Sequence, residues 1–351
     1  MKILYSVQAT GNGHISRAME LLPYLKQYGE VDIFLSGSNS HLQPNLPVKY
    51  RSKGVSLFYG NTGGLDYLHM WKEFSLKRIW KEAKELPVEK YDVVLNDFES
   101  ITSLACKLKK VPSVAFGHQA SFRSSHTPRS NKKDMAGELV LKQYATATDY
   151  IGLHFKQYDD FIFSPVIKEE IIHASPVNEG HITVYLSHYG DEVVVKALKN
   201  IRNVHFEVFS KKITQPVTDG NVTLFPISNE GFTSSLIRSH GVITGAGFET
   251  PAEALYLGKQ LLVLPIRGQY EQLCNAAALK DFNVVVVDKM ADDFTVRVQN
   301  WLEDAAALPL QLSHSTYQVV QLAIEKARSL QKHTAFFGEG LLTEEDLLAM
   351  F

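Results

Sequence analysis

Short apolar runs rich in β-branched and aromatic residues alternate with helical stretches, and the alternation occurs twice along the chain. Lys2 to Val7 (KILYSV) is such a run. A glycine-rich turn follows it, then a 3.6-period apolar stretch from Ile15 to Tyr28, then the run Val31 to Ser36. The same order continues through YDVVLND, ITSLACKLKK, PSVAFGH and DYIGLHF. It then restarts with ITVYLSHYG and the helical DEVVVKALKNI, followed by HFEVFS, NVTLFP, GVITGAG, QLLVLP and NVVVVD. Strands this apolar must be covered on both faces, and strands separated by helices must run parallel. The pattern predicts an α/β fold of doubly wound parallel sheets.

A chain of 351 residues is too long for one ordinary core, and two successive α/β sets divide it naturally. The break is expected between Ser164 and Gly180, a stretch with two prolines, a turn-like Asn178–Gly180 and no long helical period. The expected division is residues 1–165, residues 166–312, and C-terminal helices over 313–351 that pack back on the first unit. Phe122 to Glu138 is polar, basic and helix-poor, and reads as a long loop. Helices are expected from Ser313 to Leu330 and again from Thr343 to Phe351.

Apolar residues make up 45% of the chain and charged residues 21%, with a net charge of −2. Nucleic-acid binding, which usually brings a basic surplus, is not indicated. Cys106 and Cys274 sit in apolar helical patterns, and both read as reduced, buried small hydrophobes. No metal-ligand spacing such as CxxC or HExxH occurs, so no metal is expected. The N-terminal apolar run is short and broken by glycine, unlike a secretory signal. No run approaches the roughly 20 apolar residues that span a bilayer. A cytoplasmic protein is expected. Trp71 to Lys90, with Trp71, Phe74, Leu76 and Trp80 among lysines, leaves peripheral membrane contact open. The commoner reading of such a helix packs its aromatics inward.

Gly11, Asn12, Gly13 and His14 lie between the first strand and the first helix. In an open α/β sheet, ligands bind at the carboxyl ends of strands. A dinucleotide-binding GxGxxG would need glycine where Ser16 stands, and no acidic residue closes the second strand, so a dehydrogenase is not indicated. His14 at the head of a helix is a candidate general base, with a turn-capping histidine as the alternative. Asp97, at the end of VVLND, and His118, in AFGHQ, stand at two further strand ends and are alternative bases.

Gly245, Gly247, Phe248 and Thr250 belong to a second strand–turn–helix, GVITGAGFETPAEAL. Thr250 and Pro251 suit the cap and first helical position. Free amides there would receive a diphosphate, and Glu253, one turn in, could reach ribose hydroxyls. The alternative for Glu253 is a first-turn glutamate favoured by the helix dipole. A third turn, LPIRGQYEQLCNA, carries Arg267, Glu271 and Gln272. An acceptor beside a donor–acceptor suits vicinal sugar hydroxyls, and capping chemistry is the alternative.

Taken in order, GNGH, GAGFETPAEAL and LPIRGQYEQLCNA resemble the GT-B UDP-glycosyltransferase superfamily. They are most similar to bacterial N-acetylglucosaminyltransferases of peptidoglycan lipid synthesis, whose interdomain junction FSPVIKEE also resembles. The resemblance covers essentially the whole chain. It implies two Rossmann-like domains facing a cleft, and an inverting, metal-independent glycosyltransferase with a nucleotide sugar as substrate and no cofactor. The donor is expected to be a UDP-sugar and the acceptor is open: lipid-linked, saccharide or small molecule. Donor contacts would come from Gly245, Gly247, Phe248, Thr250, Glu253, Arg267, Glu271 and Gln272. Phe225 would lie at the base and Ser187 near the phosphates, although SHYG departs from the family's glycine-serine pattern. Gly11, Asn12, Gly13 and His118 would face the acceptor. Arg123, Arg129, Lys132 and Lys133 could meet a phosphorylated carrier or could simply be solvated. Two other functions stay open: an enzyme like the UDP-N-acetylglucosamine 2-epimerases, and a non-catalytic nucleotide-sugar-binding protein.

Overall fold

The computed structural model describes residues 1–9, 11–37, 46–54, 75–291, 293–304 and 306–334. Trp71, Phe74 and the helix expected over 343–351 lie outside them. The first half contains β1 (Lys2–Gln8), α1 (Asn12–Lys26), β2 (Glu30–Ser36), β3 (Val48–Ser52) and α2 (Leu76–Glu85). These are followed by β4 (Val93–Asp97), α3 (Ser100–Lys109), β5 (Val114–Gly117), α4 (Met135–Gln143), β6 (Asp149–Leu153) and β7 (Ile162–Phe163). All seven strands pair in parallel, in the order β3-β2-β1-β4-β5-β6-β7.

After α5 (Glu169–Ile172), the second half runs β8 (Ile182–Tyr185), α6 (Asp191–Leu198), β9 (Phe206–Ser210), β10 (Val217–Asp219), β11 (Val222–Pro226), α7 (Asn229–Arg238) and β12 (Gly241–Thr244). It continues with α8 (Glu249–Tyr256), β13 (Gln260–Val263), α9 (Tyr270–Leu279), β14 (Val285–Val286) and α10 (Phe294–Glu303). The strand order is β10-β11-β9-β8-β12-β13-β14, parallel except for the antiparallel β10–β11 pair. The last described helix, α11 (Thr316–Thr334), returns to lie against β4, β5, β6 and α1.

Side chains alternate across each strand, and the alternation assigns the cores. In the first sheet Ile3, Tyr5 and Val7 of β1 join Ala18, Leu21 and Leu25 of α1 and Val320, Ala323 and Ala327 of α11. Leu4 and Val94 point the other way, into Ile79 and Ala83 of α2 and Ile101 and Ala105 of α3. In the second sheet Val184, Val208 and Ile243 pack on α6 and α10. Val242, Leu261 and Val263 instead pack with Ala252 and Leu255 of α8, inside the same cluster as β1 and α1. The two α/β units are therefore joined by continuous apolar packing. Each sheet reverses strand order once, between β1 and β4 and between β8 and β12, and the carboxyl ends flanking such a reversal form a crevice.

Three local expectations are corrected. The glycine segment after β1 is the first turn of α1 itself, which begins at Asn12 with Gly11 as an extended cap residue. Helix α8 begins at Glu249, not after Thr250, because buried Phe248 is anchored before it. Pro251 then falls in the first turn, where its missing N–H leaves no helical bond unmade. The segment 122–138 is only partly loop: a 3-10 turn covers Gln119–Arg123, and α4 starts at Met135 with the Asp134 carboxylate capping Gly137 N at 2.8 Å. Helix α2 buries Ile79 and Ala83, leaves Trp80 half-buried under the Lys84 ammonium at 4.8 Å, and exposes Leu76. Both cysteines are free and buried. Among the described residues, no helix is long and apolar enough to cross a membrane.

Candidate active site at the meeting of the two sheets

Asp97 ends β4 with no exposed surface. The residues after it fold into a tight turn that holds it there. Asn96 and Glu99 exchange two hydrogen bonds, Asn96 Nδ2 to Glu99 O at 2.9 Å and Glu99 N to Asn96 Oδ1 at 2.7 Å. Glu99 then caps α3, accepting from Ile101 N at 2.9 Å and Thr102 N at 2.6 Å. Phe98 between them takes φ +55°, a left-handed conformation that is unfavourable for an aromatic residue and that marks a position where local strain is held by its surroundings.

The buried Asp97 carboxylate is compensated from α1. Arg17 Nη2 donates to Oδ1 at 2.7 Å and Nε to Oδ2 at 3.1 Å, and Tyr5 Oη donates to Oδ2 at 3.3 Å. His14, one turn before Arg17 on the same face, places Nδ1 3.0 Å from Asp97 Oδ1 and 2.9 Å from Arg17 Nη2. Burial alone pushes the Asp97 carboxyl up. The facing charges and hydrogen bonds of Arg17 and His14 outweigh it and hold the group at about 2. Asp97 is thus a fixed anion at neutral pH. It orients His14 and has no lone pair free to take a substrate proton.

The second domain reaches the same point. Arg17 Nη1 donates to Glu249, the first residue of α8. Gly13 makes the approach possible, because a Cβ there would overlap the Glu249 carboxylate. Gly117 does the same for Asp97, whose Oδ1 occupies the space of the missing Cβ. His118 is wholly buried, with Nδ1 2.9 Å from Leu153 O, Nε2 2.8 Å from Asn275 Oδ1, and its ring stacked on Phe248 at 3.9 Å. Burial pushes this imidazole below its ordinary range, against the pull of the Glu271 carboxylate. Both ring nitrogens are engaged by the protein, so His118 acts here as a joint between the domains. Gln119 Nε2 donates to Glu271 Oε2 at 3.0 Å and lies 3.5 Å from His14 Nε2.

The remaining residues singled out from sequence are placed as follows. Gly11 and Asn12 line the start of α1 beside His14. Gly247 and Gly245 precede α8, and the space beside Gly247 is open. Thr250 is half-buried in the first turn of α8. Gln272 is buried and accepts from Ile266 N at 2.9 Å, with its carboxamide facing Gly245. Glu271 is half-buried at the head of α9, and Arg267 is exposed in the loop before it. Ser187 is exposed in the turn after β8, and Phe225 stacks on Phe209 at 5.8 Å near the end of β11. Glu253 is buried and faces Lys168 Nζ at 3.3 Å, on the segment joining the two sheets, so a sugar hydroxyl reaches it only by sharing or displacing that ammonium. Arg129 is consumed within its own loop by Glu138 and three backbone carbonyls, and Lys132 lies 3.6 Å from Asp288 of the second domain.

Sequence reasoning missed Arg17, Glu249 and Gln119. Arg17 carries a usable signal, since it stands three residues after His14 on an otherwise apolar helix face. Glu249 and Gln119 carry none, because their importance lies in partners far away in the chain. Among the described residues, no cluster of three or more His, Cys, Asp or Glu is placed to hold a metal ion.

A family model described as glycosyl transferase family 1 matches residues 1–304. A search of curated proteins finds no match. Among solved structures, the spinosyn forosaminyltransferase SpnP is similar with a TM-score of 0.54 at 14% identity, covering 95% of this chain and 99% of that one. UGT89C1 of Arabidopsis thaliana, solved with UDP, gives a TM-score of 0.55 at 13% identity over 93% of this chain and 94% of that one. SnogD from Streptomyces nogalater gives 0.52 at 13% identity over 93% and 99%. At these identities the likeness is one of fold, spanning both domains.

Proposed function

This chain belongs to glycosyl transferase family 1 and has the GT-B fold, and on that premise we propose that it moves a sugar from a nucleoside diphosphate, UDP in the first instance, to a hydroxyl acceptor with inversion at the anomeric carbon. The observation that carries the reading is His14, held by the buried Asp97 anion at the strand-order reversal of the first sheet, directly across from the head of α8. With its proton on Nδ1 facing Asp97, the imidazole offers a bare Nε2 toward the cleft, which is what a general base requires.

In the proposed reaction His14 Nε2 takes the acceptor proton as the oxygen attacks, and the diphosphate leaves on the opposite side. Amides at the head of α8, beside the open space at Gly247, receive the diphosphate and stabilise the charge that grows on it. That role needs no divalent cation. Glu271 and Gln272 at the head of α9 face the sugar, and Phe225 and Ser187 border the nucleotide. Glu253 reaches ribose once it shares Lys168. UDP in the solved UGT89C1 complex supports the choice of nucleotide. The narrower likeness to peptidoglycan-lipid enzymes, which would make the acceptor a lipid, rests on sequence resemblance alone.

Calorimetric titration with UDP, other nucleoside diphosphates and their sugars tests the reading. UDP is expected to bind, and His14→Ala is expected to leave its affinity within about twofold while donor turnover, with water as acceptor, falls by a factor on the order of 100 or more. Absence of binding by every nucleoside diphosphate overturns it. Turnover unchanged in His14→Ala removes the base assignment.

A further inference from the structure

Gln119 has one end of its carboxamide fixed and the other unmatched. The side chain is 5% exposed in the 3-10 turn that follows β5. Its nitrogen donates to Glu271 Oε2 at 3.0 Å, so reversing the amide would set a carbonyl oxygen against a carboxylate. The orientation is therefore determined by chemistry. Its oxygen, Oε1, is buried and accepts no hydrogen bond from any described residue. A buried acceptor without a donor is destabilising unless water or a ligand supplies one.

The place of this atom gives it meaning. Gln119 touches Glu271 of the second domain and stands 3.5 Å from His14 Nε2 of the first. On the transferase reading, the acceptor oxygen and the anomeric carbon meet between those two groups. We propose that Gln119 is a substrate-contacting residue whose Oε1 accepts a hydrogen bond from a hydroxyl adjacent to the reacting centre. An oxygen of this kind can only accept, so its partner must be a donor. The reacting hydroxyl is excluded. Its O–H bond breaks, the proton goes to His14 Nε2, the oxygen pair forms the new bond to the anomeric carbon, and the old C–O bond leaves its pair on the diphosphate. That hydroxyl has no second proton to give. The partner is therefore a vicinal hydroxyl, either on the donor sugar at the carbon next to the anomeric one or on the acceptor beside the attacking oxygen. Gln119 stays neutral throughout, and its amide N–H is near enough to His14 Nε2 to help place the attacking oxygen.

The proposal rests on the transferase reading, and the test separates the two. Affinities of UDP, UDP-glucose and UDP-2-deoxyglucose are measured by calorimetry for the parent protein and for Gln119→Met, a substitution of similar length with no acceptor oxygen. Equal UDP affinity in both shows that the variant is folded. If the partner is on the donor, UDP-glucose loses about tenfold in Gln119→Met while UDP-2-deoxyglucose is unchanged. If the partner is on the acceptor, affinities hold, and hydrolysis at saturating UDP-glucose falls at least about tenfold, because water uses its second proton in place of the vicinal hydroxyl. Unchanged affinities together with unchanged turnover overturn the proposal while leaving the transferase intact. Failure of UDP to bind the parent protein overturns the transferase reading and the proposal together.

Discussion

Arg17→Met leaves the buried Asp97 carboxylate without the guanidinium that compensates it. In the parent protein Asp97 titrates at about 2. Against an unfolded value near 3.9, the difference is worth about 2–3 kcal/mol at roughly 1.36 kcal/mol per unit. A lowered carboxyl pKa favours the fold above the unfolded value. This contribution is therefore complete above about pH 5 and is lost as pH falls through about 4 towards 2. The variant loses it and also leaves the burial penalty of an Asp with no exposed surface unopposed. Removing one partner of a buried ion pair costs about 3–5 kcal/mol. Without Arg17 the Asp97 carboxyl is pushed above the unfolded value, so the variant is relieved by acid while the parent is weakened by it. The expected destabilisation is about 3–5 kcal/mol near pH 7 and smaller near pH 4, where the variant's carboxyl takes up a proton. Urea unfolding followed by circular dichroism at the two pH values measures it. A loss below about 1 kcal/mol near pH 7, or an equal loss at both, refutes the account of Asp97 as an anion held by Arg17.

Gly117→Ala should reproduce much of that phenotype, since its Cβ overlaps Asp97 Oδ1 while Arg17 grips the same carboxylate. A loss of about 1–3 kcal/mol in urea unfolding is expected, with reduced donor turnover. Lys259 is buried and gives its ammonium to three carbonyls, those of Val177, Ile237 and Ser239, at 2.6, 2.8 and 2.7 Å. Lys259→Met should destabilise the second domain by roughly 3 kcal/mol through those carbonyls, and calorimetry should show its transition moving down in temperature. Cys106 is buried, and burial pushes its thiol up to about 12; Cys274 is buried too and its thiol is also raised, chiefly by burial. Neither should react with a thiol-specific reagent such as DTNB until urea unfolds the chain; rapid native labelling would contradict their placement.

Two successive α/β sets could be read directly, because a parallel strand covered on both faces must be apolar along its whole length and a helix must repeat every 3.6 residues. Both rules act within about ten residues of chain. The same locality placed His14 and Asp97 at strand ends of the first sheet, where a crevice must open. Helix starts were less legible. Phe248 rather than Thr250 precedes α8 because its ring is clamped on His118, a residue from the other domain. Sequence could not show which carboxylate faces the cleft. Glu249 and Glu253 lie one turn apart on α8, and nothing local distinguishes them. Folding gave Glu249 to Arg17, 232 residues away, and buried Glu253 against Lys168. Gln119 acquired its unmatched oxygen in the same way, through Glu271, 152 residues away. Sequence thus determined the periodicities, and with them the sheets and the strand ends where chemistry can occur. Only the tertiary structure decided which charges are compensated there, because that depends on distances between segments whose local patterns carry no record of one another.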